Sequence, residues 1–405
     1  MKFRKILSCI LCAGLLTLSI SACETAEGTP EDTSADIGTV TETPVSAGAP
    51  ASVIDGEIRD ISSMELIGEL VAGWNLGNTL DATGGSGLTS ETSWGNPYTT
   101  KEMMDAIKEK GFNIIRIPVT WAKHLDAEDN IDPEWLDRVQ QVVDFTIDEN
   151  TYVIINLHHE EWNNTFAEKK DATVAKIKKV WSQIAERFKD YDEHLIFEGQ
   201  NEPRKKGTNL EWTGGDEECW DFVNSTNMAF VETVRNSGGN NDKRHLMIPG
   251  YCATSDPIGP TMIQLPENDN KIIVSVHAYT PYNFALSDTP TGKFSSQRIV
   301  STRDILSLAE MLKTSYIDNN IAVIIGETGA RNKDNLEYRV DWAGFYTSTM
   351  RDVGVTCIWW DNGAVNGGGE NFGLLDRRSC TWFFPEIADA FIAGGRGELE
   401  FADPQ

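Results

Sequence analysis

Two glutamates, Glu202 and Glu327, each close an apolar run, within Asn201-Glu202-Pro203 and Gly326-Glu327-Thr328. Carboxyl groups brought together from distant parts of a chain can divide the work of bond cleavage. One stays ionised as nucleophile or base, and the other carries a proton and acts as acid. Further reactive side chains follow the same pattern. Arg116 lies inside a run, while His158-His159-Glu160, His277-Ala278-Tyr279 and Trp359-Trp360-Asp361-Asn362 close three others. Packing does not require polar residues at one end of many apolar runs, so the cluster reads as a functional site. His158 and His159 invite a metal, but adjacent strand residues point to opposite faces and share an ion poorly. The helical His-Glu-x-x-His spacing of zinc hydrolases is absent, so no metal and no cofactor are expected.

The runs that must position these groups number eight: 71–76, 114–119, 152–159, 195–201, 245–251, 272–279, 322–328 and 355–361. They are nearly continuous in apolar residues, as parallel strands covered on both faces are. Helical patterns separate them. Thr99 and Glu102 read as a capping box ended by Gly111, Asp132-Pro133 opens a second helix that closes by Asn150, and Asp171 precedes a third. Alternating strand and helix over 53–395 predicts a single α/β domain, a (β/α)8 TIM barrel, with a C-terminal tail at 396–405. In such a barrel the site lies at the C-terminal ends of the strands. A doubly wound open sheet is the competing architecture. It lacks support from a Gly-rich phosphate loop after the first run.

The motifs Ile115-Arg116-Ile117-Pro118, Asn156-Leu157-His158-His159, Asn201-Glu202-Pro203, His277-Ala278-Tyr279, Gly326-Glu327-Thr328-Gly329 and Trp359-Trp360-Asp361-Asn362-Gly363 stand in this order. Together they resemble glycoside hydrolase family 5. The opening Gly73 to Leu80, with Thr92-Ser93-Trp94-Gly95, is similar to that family's bacterial endoglucanase and xyloglucanase branch. The likeness spans roughly Leu70 to Phe384. It implies a retaining endo-β-1,4-glucanase acting on cellulose, mixed-linkage glucan or xyloglucan, with Glu202 as acid/base and Glu327 as nucleophile. Retention requires two carboxyl groups roughly 5–5.5 Å apart. Glu202 should then hold a raised pKa, and Arg116 should keep Glu327 ionised. Tyr279 would donate to Glu327, His277 would orient this pair or bind Glu202, and Asn201 would bond the sugar 2-OH. Trp360 would lie under the sugar at the cleavage position with Trp359 in the core. His158, His159, Asn78 and Trp94 would bind further sugar.

Bulk composition limits the alternatives. A formal net charge of −27 repels nucleic acid and anionic lipid, which are bound by clustered Lys and Arg. A neutral polysaccharide is indifferent to it, and the twelve tryptophans offer stacking surface for sugar C–H faces. Lys2, Arg4 and Lys5 before the apolar Ile6–Ile20 read as a signal peptide over 1–22. Ile20-Ser21-Ala22-Cys23 resembles a bacterial lipobox, so the expectation is an exported chain, either secreted or anchored to the cell surface through a lipid on Cys23. Residues 23–52 are rich in Thr, Glu, Ala and Pro and read as a disordered tether. No membrane contact beyond that anchor is expected, and a monomer is. Cys219, Cys252, Cys357 and Cys380 match no disulfide framework, leaving one bridge or free thiols open. Competing functions are a mannanase or xylanase on the same core, and a non-catalytic surface glycan-binding lipoprotein. An esterase or protease lacks its Gly-x-Ser-x-Gly elbow.

Overall fold

The computed structural model describes residues 53, 57–288, 292–367 and 369–405. The signal segment, Cys23 and the tether lie outside the described residues. Eight strands form a closed, all-parallel barrel in chain order: β1 (Gly73–Leu76), β2 (Ile114–Ile117), β3 (Tyr152–Asn156), β4 (Leu195–Glu198), β5 (Leu246–Pro249), β6 (Ile272–His277), β7 (Ala322–Thr328) and β8 (Thr356–Asp361). Closure comes from β1 pairing β8, with Gly73 opposite Ile358 and Asn75 opposite Trp360. Helices α1 (Lys101–Lys110), α2 (Pro133–Thr146), α3 (Lys170–Arg187), α4 (Glu217–Arg235), α5 (Gly259–Met262), α6 (Ile299–Ser315), α7 (Leu336–Asp352) and α8 (Pro385–Arg396) follow the strands in turn. The open-sheet alternative is excluded by this closure. No helix among the described residues is long and apolar enough to cross a membrane.

The barrel interior is layered. Ile114, Ile154, Ile196, Met247, Ile273, Ile324 and Ile358 fill the lower layers, and a short helix, Ser63–Ile67, plugs the bottom with Leu66 and Ile67. Gly73 completes that layer on β1, because a Cβ there would come within 2.7 Å of Ile358 and 2.9 Å of Ile114. Side chains two positions further along a strand share its face. Directly above these hydrophobes therefore stand Asn75, Arg116, Asn156, Glu198 and Ser275, all buried. The apolar layer is the floor on which a polar layer is built.

Several boundaries differ from the sequence reading for local reasons. Thr100, not Thr99, caps α1, accepting from the Met103 N–H. The α2 helix ends at Thr146, because Ile147 turns extended and Asp148 bridges Thr151. The α3 helix begins at Lys170, placing Asp171 inside its first turn, where a carboxylate favours the helix dipole. Asp132 and Pro133 do open α2, and Gly111 ends α1 at φ 115°. Cys219, Cys252, Cys357 and Cys380 are all free thiols. Residues of the C-terminal segment pack on the domain, with Phe401 against Phe345 at 5.3 Å and Gln405 bonded to the Gln297 and Ile299 backbone.

Candidate active site

Arg116 is the hub of the polar layer. Fully buried on β2, it donates through Nε to Glu198 at 2.7 Å and through Nη1 to Glu327 at 2.9 Å. Nη1 also reaches Asn75 Oδ1 at 3.0 Å, and Nη2 reaches Asn201 Oδ1 at 2.8 Å. Burial opposes the charge on Arg116, but the Glu198 and Glu327 carboxylates outweigh it and hold the guanidinium firmly protonated. Glu198 takes two more donors, Ser275 Oγ at 2.6 Å and Asn156 Nδ2 at 2.9 Å. Asn75 in turn donates to the Gly326 and Trp359 carbonyls, bracing the strand from which Glu327 projects.

Glu327 emerges where the ladders on both sides of β7 lose register: between Val276 and His277 on β6, and between Ile325 and Thr328 against β8. An extra residue at a strand end re-aims a side chain. Its carboxylate accepts from Arg116 and, at 3.1 Å, from the Tyr279 hydroxyl. Burial and the Glu327 charge push the Tyr279 phenol well up, so it keeps its proton and donates. Across the mouth, Glu202 lies beyond the end of β4. His277 Nδ1 is 2.8 Å from its Oε1, and Arg204 Nη1 is 3.4 Å from its Oε2. Single oxygens of Glu202 and Glu327, and a ring nitrogen of His277, all lie within 4.8 Å of one another.

One expectation changes here. Burial raises the Glu202 carboxyl, but the hydrogen bond and charge of His277, then the charges of Arg204 and Arg116, hold it below its ordinary value. Burial lowers His277, yet the Glu327 charge and the Glu202 contact hold it above its ordinary value of 6.5. In the substrate-free protein the proton shared by this pair therefore rests on the imidazole. A depressed Glu202 adds stability above its unfolded pKa near 4.5, lost as pH falls through the folded value. A raised His277 adds stability below 6.5, lost as pH rises through the folded value. The gap in melting temperature between wild type and His277→Gln is thus expected to be widest between about pH 4.5 and 6.5 and to narrow outside it. A gap independent of pH would contradict the pairing.

The two glutamates line a cleft of about 1110 Å³. It runs from Asn78 and Trp94 after β1 to Trp212, Thr254 and Tyr282 after β4, β5 and β6. Strands one and five are opposite in an eight-stranded ring, so the cleft crosses the whole mouth. Trp360 lies on its floor, stacked parallel to His158 at 5.8 Å, while Trp359 is fully buried in the core. Gly77 makes this possible, since a Cβ there would stand 2.8 Å from the Trp360 ring and from the Asp361 carbonyl. Gly77→Ala should cost about 1–3 kcal/mol by overpacking and impair substrate binding over Trp360; unchanged melting temperature and KM would refute that contact.

His158 and His159 both line the cleft, their rings 4.5 Å apart. The opposite-face argument does not apply to them because β3 ends at Asn156 and both lie in the following loop. Asp81, His158 and His159 even present donor atoms within 4.8 Å of one another. Both Asp81 oxygens, however, are taken by the Asn78 and Thr79 N–H groups at 3.0 and 2.6 Å. Burial, then the neighbouring cationic groups, pushes His158 well down, so it meets a ligand as a neutral imidazole. Glu160 is buried and accepts the Trp121 N–H at 2.6 Å, and Asp361 anchors the Leu374 N–H and Arg377. Those two strand-end acids hold loops.

Sequence reasoning missed Asn156, Glu198 and Ser275, each a polar residue two places beyond an inward hydrophobe, and Asn75, two places beyond the inward Gly73. It also missed Trp212, exposed on the cleft wall with the Arg204 guanidinium 4.3 Å over its ring, and Glu370, a further acid lining the cleft.

The model of the cellulase family, glycosyl hydrolase family 5, matches residues 80–366. The chain belongs to glycosyl hydrolase family 5. Endoglucanase A of Ruminococcus albus is 49% identical over 346 residues, covering 84% of this chain and 95% of that protein. Among solved structures, the broad-specificity endoglucanase of Ruminococcus champanellensis with bound cellotriose is 43% identical with a TM-score of 0.80, over 83% of this chain and 99% of that one. A xyloglucan-specific endo-β-1,4-glucanase from a metagenomic library, in complex with cellotriose, is 42% identical with a TM-score of 0.77, over 82% and 98%. Membership of family 5 accords with the closed barrel topology.

Proposed function

We propose that this family 5 protein is a retaining endo-β-1,4-glucanase that cleaves internal bonds of cellulose, mixed-linkage glucan or xyloglucan by double displacement. The observation that carries the mechanism is the approach of one carboxylate oxygen of Glu202 to one of Glu327 within 4.8 Å. Inversion needs roughly 6.5–9.5 Å to seat a water between the sugar and its base. Glu327, held by two donors, attacks the anomeric carbon while Glu202 protonates the departing glycosidic oxygen. Glu202 then takes a proton from water, which releases the sugar from Glu327. The His277–Glu202 pair holds the proton that the leaving group needs, and sugar filling the cleft moves it onto the carboxylate. Arg116 fixes the Asn201 carbonyl, leaving its amide NH2 to donate to the 2-OH, a bond that strengthens as positive charge grows on the ring.

The cleft's passage across the mouth favours internal cleavage over release from a chain end. Trp360 forms its floor, while Trp94, Asn78, His158 and His159 supply binding surface on the side of the β1 and β3 loops. Glucan as substrate is supported by the endoglucanases the chain resembles. A product profile on cellulose, lichenan, xyloglucan, xylan and mannan tests this. Mixed oligosaccharides from the glucans support it, and preferred hydrolysis of mannan or xylan would replace it. The segment 1–23 supports export, with mass spectrometry expected to find diacylglycerol on Cys23. An unmodified mature N-terminus would return the chain to simple secretion.

A further inference from the structure

The loop after β4 brings a cation to Glu202 and holds it there. Tyr251, fully buried, accepts the Lys205 N–H at 2.9 Å and donates to the Leu210 carbonyl at 2.8 Å, which pins the loop at two points. Glu211 Oε2 accepts the Gly207 N–H at 2.8 Å between them. Within this frame the Arg204 guanidinium is held from three directions. Its Nη1 donates to the Glu202 carbonyl at 3.2 Å and reaches Glu202 Oε2 at 3.4 Å. Its Nε donates to Glu211 Oε1 at 3.1 Å, and its central carbon lies 4.3 Å from the centre of the Trp212 ring. Glu211 and Trp212 thus back the cation while its free edge faces the acid/base.

The two displacement steps ask opposite things of Glu202. It delivers a proton in the first and must be a carboxylate in the second. Burial lowers His277, and the Glu327 charge is the largest of the effects that keep the shared proton on it. In the first step that proton leaves with the glycosidic oxygen, as a Glu327 oxygen bonds the anomeric carbon. Glu327 is then an uncharged ester, and His277 has lost the charge that favoured its protonation. Among the described residues only His277 and Arg204 bond the Glu202 carboxylate, so Arg204 remains as the cation in contact with it.

The other ionisable groups facing Glu202 do not replace it. Arg116 reaches over from β2, but its guanidinium is bonded to Glu198, Glu327, Asn75 and Asn201. Tyr279 after β6 and Cys252 after β5 are both pushed up by burial and stay neutral. His158 and His159 after β3 are pushed down by burial, and Glu370 after β8 is an acid. Lys206 lines a side cavity with Glu202 without bonding it. In the free protein the Arg204 charge already acts in this sense: against burial, and after His277, it helps hold Glu202 below its ordinary value.

We propose that Arg204 is a positioning residue for the second step, holding Glu202 ionised and aimed while water attacks the glycosyl-enzyme. The water oxygen bonds the anomeric carbon, the Glu327 ester bond breaks, and one water proton passes to Glu202, which restores the starting charges. The inference rests on the retaining reading above and adds the residue that turns Glu202 from acid to base.

The test is stopped-flow hydrolysis of a dinitrophenyl β-cellobioside across the acid range. Its leaving group needs no proton, so the burst of phenol reports the first step without Glu202, and turnover after the burst reports the second. In Arg204→Met the acid limb of that turnover should move up by about half a pH unit or more, the low end for a neighbouring cation because Glu211 and solvent share this one. The burst draws only on Glu327 and should not share the shift. Arg204→Lys keeps the cation and should restore the limb. An unmoved limb in Arg204→Met, or equal slowing of both phases in both variants, would overturn the role of Arg204 and leave the retaining reading intact. Mass spectrometry of Glu202→Gln after mixing separates the two failures. If it gains no cellobiosyl unit, the retaining reading fails and the role of Arg204 with it.

Discussion

Glu327→Gln and Glu202→Gln are each expected to lower kcat on β-glucan at least a thousandfold with an unchanged melting curve. The two losses should differ in kind. Glutamine at 327 keeps the donors from Arg116 and Tyr279 in place but removes the negative charge that attacks the sugar. No choice of substrate restores that step. Glutamine at 202 removes the proton delivered to the leaving oxygen and the base that later takes a proton from water. An aryl glycoside whose leaving group needs no protonation should therefore still form the glycosyl-enzyme in Glu202→Gln, giving a burst of phenol followed by slow turnover. Stopped-flow absorbance distinguishes the two variants. A burst from Glu327→Gln, or none from Glu202→Gln, would exchange or abolish the assigned roles.

The second large effect is expected at Arg116. Its removal as Arg116→Met leaves Glu198 fully buried without its cation and frees Glu327 and Asn201 from their common donor. Breaking one side of a buried ion pair costs about 3–5 kcal/mol, because the remaining charge is stranded. Arg116→Met should therefore melt at markedly lower temperature and lose nearly all activity. The double variant Arg116→Met/Glu198→Gln removes the stranded charge, and should regain much of the stability with none of the activity. Calorimetric melting and kcat on the same preparations check both halves. Recovery of activity in the double variant would show that Arg116 serves the fold alone.

The contrast between these residues shows what could be read from sequence. Glu202 and Glu327 were legible because each closes a run that opens on consecutive apolar residues and has no packing reason to end in an acid. Arg116 was legible as a charge inside such a run. Glu198, its obligate partner, was not, since the run containing it ends in the more conspicuous Asn201-Glu202. Inward alternation from Ile196 would have found it, as the same step from Ile154 and Ile273 finds Asn156 and Ser275. Strand ends were drawn too long for a related reason. The apolar pattern continues past the last ladder bond, so the sequence alone extends the strand through His158 and His159, although the loop after Asn156 carries them. The proton's location was beyond sequence reasoning altogether. It depends on the 2.8 Å contact between His277 and Glu202, which only the closed barrel creates.

The proposal that Glu202 and Glu327 act with retention is tested most directly by the anomer first released. A proton NMR time course on a soluble β-glucan oligosaccharide should show the β-anomer appearing initially, with the α-anomer growing only at the rate of mutarotation. Initial release of the α-anomer would mean a single displacement, and would contradict the assignment of Glu327 as nucleophile.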